Sequence, residues 1–265
     1  MTRIGHLFAQ KTSSILNIYF TAGFPAIEDT VPVMMALEES GVDLIELGMP
    51  YSDPIADGPV IQHSNGIALD NGMTINRLFG QLKNFRSVVH VPVILMGYMN
   101  PVLQYGFDRF CNDAANLGVD GLIIPDLPEY EFETIYGSIL AQHGLDFIFL
   151  VTPETSEERL RKLDLLSSGF LYAVSSSSTT GSDKNMDAVS EYLGRLKAMK
   201  LRNPVLAGFG IHDRNTFDRV AAQANGGIIG SAFVKALGPL IGAIEHSDET
   251  RLKEIVKTFV ASIRG

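Results

Sequence analysis

The chain has no tryptophan and a single cysteine, Cys111. One thiol permits no internal disulfide, so packing alone must hold the fold, and a reducing compartment suits it. Cys111 lies in a helical pattern and reads as a packing residue rather than a nucleophile. Basic residues are in deficit, 21 Lys and Arg against 30 Asp and Glu, for a formal net charge of −9. That balance excludes a general nucleic-acid or anionic-membrane binder. It leaves room for an anionic substrate, because a local site can oppose the global charge. No apolar stretch reaches the roughly 18 residues of a membrane span, and "MTRIGHLFAQKTSSILN" lacks the apolar core of a signal peptide. The expectation is a soluble, cytoplasmic protein. The histidines, His6, His63, His90, His143, His212 and His246, are scattered without an H-E-x-x-H spacing, and neither a Walker loop nor a dinucleotide fingerprint occurs. No metal is expected.

What is present supports a sizeable core: 46% of the 265 residues are hydrophobic and 19% charged, which argues against disorder. Short apolar runs recur at 15–20, 43–47, 91–96, 120–125, 145–151, 169–174, 204–209 and 226–230. They are continuous rather than alternating, as in a parallel sheet covered on both faces. Amphipathic segments separate them. "TVPVMMALEESG" and "DRFCNDAANLG" end on glycines placed as C-caps. "TSEERLRKLDLLSSG" opens with a hydroxyl cap and acids, then turns basic, as the helix dipole favours. About eight strand–helix units predict a (β/α)8 TIM barrel, one domain over 1–265, with an extra N-terminal helix over its bottom. The alternative is an open doubly wound sheet, for which no clear switch point is visible. "SSSSTTGS" at 175–182 reads as a long loop after the sixth strand, since no linker divides the chain.

Barrel active sites lie at the C-terminal ends of the strands. That rule selects Tyr19, Glu46, Met96 to Asn100, Asp126, Tyr172 with the serine loop, Gly210, and Gly230 with Ser231. Glu46 is the odd residue, a carboxylate inside the apolar run "DLIEL". Burial costs several kcal/mol unless the group is paired or used, and raises the pKa toward values useful for proton transfer. A structural acid bonded to a neighbour and an acid–base residue both satisfy the pattern. Asp53 and Asp57 follow in the loop "MPYSDPIADGP", where aspartate is an ordinary turn-former; one of them could also work with Glu46. The glycines of "GFGIHD" and "GGIIGSAFVKAL" fall after strands seven and eight, where this fold commonly binds phosphate.

Taken together, "LFAQ", "YFTAGFP", "ELGMPYSDPIADGPVIQ", "MGYMNPVLQYG", "GLIIPDLP", "VTPETSEERL", "GFGI" and "IIGSAFVK" closely resemble the alpha chain family of tryptophan synthase, through essentially the whole chain. The Glu46–Pro59 motif is highly specific; the glycine motifs are shared with many phosphate-binding barrels. The resemblance implies a lyase that cleaves indole-3-glycerol phosphate to indole and glyceraldehyde 3-phosphate. It places the acid–base role on Glu46 and the second catalytic role on Asp57. It assigns phosphate contacts to Gly181, Gly210, Gly230 and Ser231, a mobile lid to Thr180 and Gly181, and the surroundings of the indole pocket and lid to Tyr19, Tyr98, Asp126 and Tyr172. It also implies a beta-chain partner in an alpha2-beta2 tetramer, with pyridoxal phosphate on that partner and no cofactor in this chain. Pro50, Tyr51, Asp53 and Pro54 become interface candidates. Tyr51 stands where relatives usually carry Phe, Ile67 replaces a frequent Arg, and the lid is rich in serine. These departures bear on lid and partner coupling rather than on the two carboxylates. The alternatives are a catalytically silent subunit that activates a beta chain, and another phosphate-binding barrel enzyme of aromatic amino-acid biosynthesis.

Overall fold

Parallel strands run through the apolar segments as predicted. The computed structural model describes residues 2–174, 183–242 and 249–265. Its strands are β1 (Ile15–Thr21), β2 (Leu44–Gly48), β3 (Val93–Met96), β4 (Gly121–Ile123), β5 (Asp146–Phe147), β6 (Leu150–Val151), β7 (Leu171–Val174), β8 (Val205–Gly208) and β9 (Gly226–Ile229). They form one sheet in the order β5-β4-β3-β2-β1-β9-β8-β7-β6, every pairing parallel.

The two edge strands are halves of one predicted run, 145–151. Its first half bonds to β4, where Ile148 N–H donates to Leu122 O at 3.1 Å. Its second half bonds to β7, where Tyr172 N–H donates to Phe149 O at 3.0 Å. The tilt of barrel strands staggers the two partners along the run, so the ladder changes sides at Ile148–Phe149 and the sheet curls closed through the chain itself. The expected barrel is therefore observed, with its fifth strand split.

Inward positions alternate along each strand. The lowest ring holds Ile15, Leu44, Ile94, Ile123, Ile148, Phe170, Leu206 and Ile228, and the N-terminal helix Arg3–Gln10 plugs it from below with Ile4, Leu7 and Phe8. Thr2 caps that helix by accepting from Gly5 N–H at 3.1 Å. A second, larger apolar layer lies between the sheet and the outer helices. Cys111 is buried in that layer, and burial pushes its thiol up to about 12, which makes it inert near neutral pH. Helices fill the segments between the strands, among them Pro59–Asp70, Ile75–Gln81 and Met99–Tyr105. Among the described residues, no helix is long and apolar enough to cross a membrane.

Candidate active site

Above the apolar ring the barrel interior changes character. Asn17 and Tyr19 on β1, Glu46 on β2, Met96 on β3 and Tyr172 on β7 replace the aliphatic side chains. A cavity of about 640 Å³ opens there, lined by Tyr19, Asp57, Met96, Tyr172, Gly210 and Ser231 among others.

The two tyrosines hold their places because glycine sits one strand over. A Cβ on Gly48 would collide with the Tyr19 hydroxyl, and one on Gly208 would meet the Tyr172 ring at 2.7 Å. Each phenol therefore lies across the neighbouring strand. Tyr19 is further fixed by Thr21, whose hydroxyl lies 3.5 Å away and in turn shares a 2.7 Å bond with Ser64. Burial raises both phenol pKa values, and both rings also feel the charges of Glu46 and Asp57. The two acids thus flank the same tyrosine pair.

Glu46 is fully buried in the wall and is the register partner of Tyr19. Its Oε1 accepts from Asn17 Nδ2 at 2.5 Å, while Oε2 has no hydrogen-bond partner among the described residues. Loss of water raises its pKa to about 8, against the lowering effect of the Asn17 amide. At neutral pH the carboxyl is largely protonated. Asp57 lines the cavity from the loop that follows β2. Burial raises its pKa to about 6, and the bond from Tyr98 opposes that rise. Tyr98 O–H donates to Asp57 Oδ2 at 3.1 Å and accepts from Ala56 N–H at 3.0 Å. One phenol thereby ties the returning loop to the end of β3. Two carboxyls with separated pKa values can divide acid and electrostatic roles.

The far wall carries groups that can receive an anion. Gly210, Gly230 and Ser231 all line the cavity, with His212 and Lys235 beside them. Gly230 is the N-cap of the short helix Ser231–Leu237, whose first-turn N–H groups have no intrahelical partners. Gly210 has φ +54° and its carbonyl lies 2.7 Å from His212 Nδ1. Against a chain of net charge −9, Lys235 and His212 are local cations or polar donors at the mouth.

The remaining candidates are dispersed. Asp126 is exposed, does not line the cavity, and accepts from Met99 N–H at 2.9 Å at the start of helix Met99–Tyr105. Tyr51 packs on Tyr98 with ring centroids 5.3 Å apart and accepts from Asn100 Nδ2 at 3.2 Å. Asp53 is exposed, Pro50 half-buried, and Pro54 buried within the chain. Thr180 and Gly181 lie outside the described residues. Sequence reasoning missed Asn17, although a lone amide inside "ILNIYF" is a visible signal. It also missed Lys235 and His212, and the glycines Gly48 and Gly208, whose role shows only across strands. Among the described residues, no group of three or more His, Cys, Asp and Glu is placed to hold a metal.

Comparison with known proteins agrees over the full length. Residues 7–264 match the family model of the tryptophan synthase alpha chain. A tryptophan synthase alpha chain from Parabacteroides distasonis is 49% identical over 238 residues, covering 89% of this chain and 93% of the relative. One from Flavobacterium psychrophilum is 51% identical over 229 residues, covering 86% and 90%. Among solved structures, tryptophan synthase from Mycobacterium tuberculosis in an aminoacrylate-bound form superposes with a TM-score of 0.84 at 35% identity, with both chains fully covered. The alpha subunit from Legionella pneumophila gives 0.87 at 33% identity, covering 100% of this chain and 99% of that one. The chain belongs to the tryptophan synthase alpha chain family.

Proposed function

We propose that Glu46 and Asp57 carry the alpha-subunit reaction in this chain. The chain is a carbon–carbon lyase of tryptophan biosynthesis that cleaves indole-3-glycerol phosphate to indole and glyceraldehyde 3-phosphate. The bond to be broken joins indole C3 to the glycerol carbon that bears a hydroxyl. Glu46, protonated near neutral pH, gives its proton to C3. The indole nitrogen becomes positive, and the Asp57 carboxylate accepts its N–H and stabilises that charge. Glu46, now a carboxylate, takes the hydroxyl proton. The carbon–carbon bond breaks, its electron pair restores the aromatic ring, and the aldehyde forms. Glu46 ends protonated, as it began.

The ring itself holds the electrons, so this step is assigned no cofactor. Gly210, Gly230 and Ser231 bind the phosphate and fix the reacting end; the family resemblance adds Gly181 to these contacts. Tyr19 and Tyr172 flank the ring, and Tyr98 holds Asp57. The observation that carries this assignment is the pair of carboxyls, raised to about 8 and about 6, that act on the same two cavity tyrosines. Asp57 lines the cavity, Glu46 does not line it but acts on Tyr19 and Tyr172, which do, and the lining also carries Gly210, Gly230 and Lys235.

The family implies a beta-chain partner. We assign the finer picture as an alpha2-beta2 assembly in the cytoplasm, with pyridoxal phosphate on the beta chain and this chain forming one barrel domain over 1–265. Pro50, Tyr51, Asp53 and Pro54 then belong to the partner-facing loop. The test is indole release from indole-3-glycerol phosphate by the purified chain, with and without a beta chain. Turnover that rises with the partner is the expected result. Absence of indole under both conditions would instead make the chain a silent activating subunit.

A further inference from the structure

Asn17 and Glu46 are an unusual pair for the interior of a barrel. Both are fully buried, on adjacent strands, and offset by two residues in register, since Asn17 opposes Leu44 and Glu46 opposes Tyr19. Diagonal neighbours at this offset are within reach of long side chains. The amide donates to Oε1 at 2.5 Å, yet among the described residues Asn17 Oδ1 and Glu46 Oε2 both lack partners. Two orphaned acceptors in one buried contact are a poor solution for stability alone, because an apolar residue at 17 would continue the strand without leaving a carbonyl unsatisfied. The arrangement makes sense for a carboxyl that must pass a proton. With Oε1 occupied by an N–H donor, the proton resides on Oε2, the one carboxyl oxygen left for a substrate atom.

We propose that Asn17 is the positioning residue of Glu46, pinning Oε1 so that Oε2 carries the proton exchanged with the substrate. This rests on the acid–base reading of Glu46. The amide does a second job, since a donor to the carboxylate offsets part of the rise caused by burial. The titratable groups that feel the Glu46 charge are Tyr19 and Tyr172, and burial keeps both phenols protonated through the neutral range.

The experiment is a pH profile of kcat and KM for indole release by the purified chain, with Asn17→Leu, Asn17→Ala and Glu46→Gln beside the wild type. Asn17→Leu keeps the shape and removes the donor. The expected result is a fall in kcat of about tenfold to a hundredfold, with KM within twofold. The alkaline limb of kcat/KM also moves to higher pH, because the lost donor no longer favours the carboxylate. A purely structural role would leave that limb in place. Asn17→Ala serves if Leu does not fold, and loss of folding in both variants overturns the proposal, since the amide's role would then be structural. Wild-type kcat and an unmoved limb in a folded Asn17 variant, with Glu46→Gln inactive, overturn it while sparing the role of Glu46. An active Glu46→Gln overturns the acid–base reading itself.

Discussion

Two buried acids sit at opposite levels of the same barrel. Asp120, just before β4, is 5% exposed, and Glu46, on β2, is fully buried. Asp120 is ion-paired with Arg3 at 2.9 Å and with Arg86, and it accepts from Val93 N–H at 2.8 Å. Among the described residues, Glu46 has one amide and an oxygen without a partner. Burial is the same, but the supply of donors is opposite. Burial alone therefore does not mark a functional acid. A buried carboxyl left half-paired against the two tyrosines that line a cavity does, because evolution could have satisfied it and the Asp120 site shows how.

The comparison breaks first at Glu46. Glu46→Gln should lower indole turnover by about a thousandfold, within the range of general acid–base catalysis, while the protein stays folded. The same substitution should stabilise the fold at alkaline pH. The folded pKa of Glu46 is about 8 against an ordinary 4.5, so its contribution to stability is fully present below about 4.5 and lost as pH rises through about 8. The full difference is on the order of 5 kcal/mol. Denaturant unfolding at pH 5 and pH 9 checks it: the wild type should lose more stability between the two than the variant, which keeps only the smaller loss from Asp57. Asp57→Asn should reduce turnover by about a hundredfold and remove the acid limb of the pH profile near 6. A loss of stability without loss of turnover per folded molecule would return Asp57 to the turn-formers.

Asp120→Ala should do the reverse. Removing the buried partner of the half-buried Arg86 costs up to roughly 3–5 kcal/mol of stability, with turnover per folded molecule unchanged. Chemical denaturation and a specific-activity assay on the same sample separate the two effects. The smallest change is expected at Gly208→Ala. The new Cβ would come within 2.7 Å of the Tyr172 ring, so the ring must shift. KM should rise about threefold while kcat changes little, since the ring is positioning rather than proton-transfer machinery. Steady-state kinetics decide it.

Much of this contrast was legible in the chain. Glu46 stands out because a charge interrupts an apolar run, and continuous apolar runs announce a covered parallel sheet. The fifth strand read as one piece, because its split arises from the stagger of two partners that no local window contains. Asp57 could not be told from Asp53 by composition, since both occupy turn positions. What separates them is Tyr98, which is 41 residues further on and bonds only Asp57. Asp126 read as a pocket residue because it follows a strand, yet its carboxylate faces the amide of Met99. Lys235 and His212 escaped notice because a single basic residue on a helix or loop carries no pattern. Only the curvature of the sheet brings them to one wall.

The central claim is that Glu46 is held half-paired so that it can trade a proton with the substrate near neutral pH. The pH–rate profile of indole release by the wild-type chain tests it most directly. The account predicts a bell, with an acid limb near 6 from Asp57 and an alkaline limb near 8 from Glu46. A kcat/KM that stays level from pH 7 to well above the Glu46 pKa would contradict it.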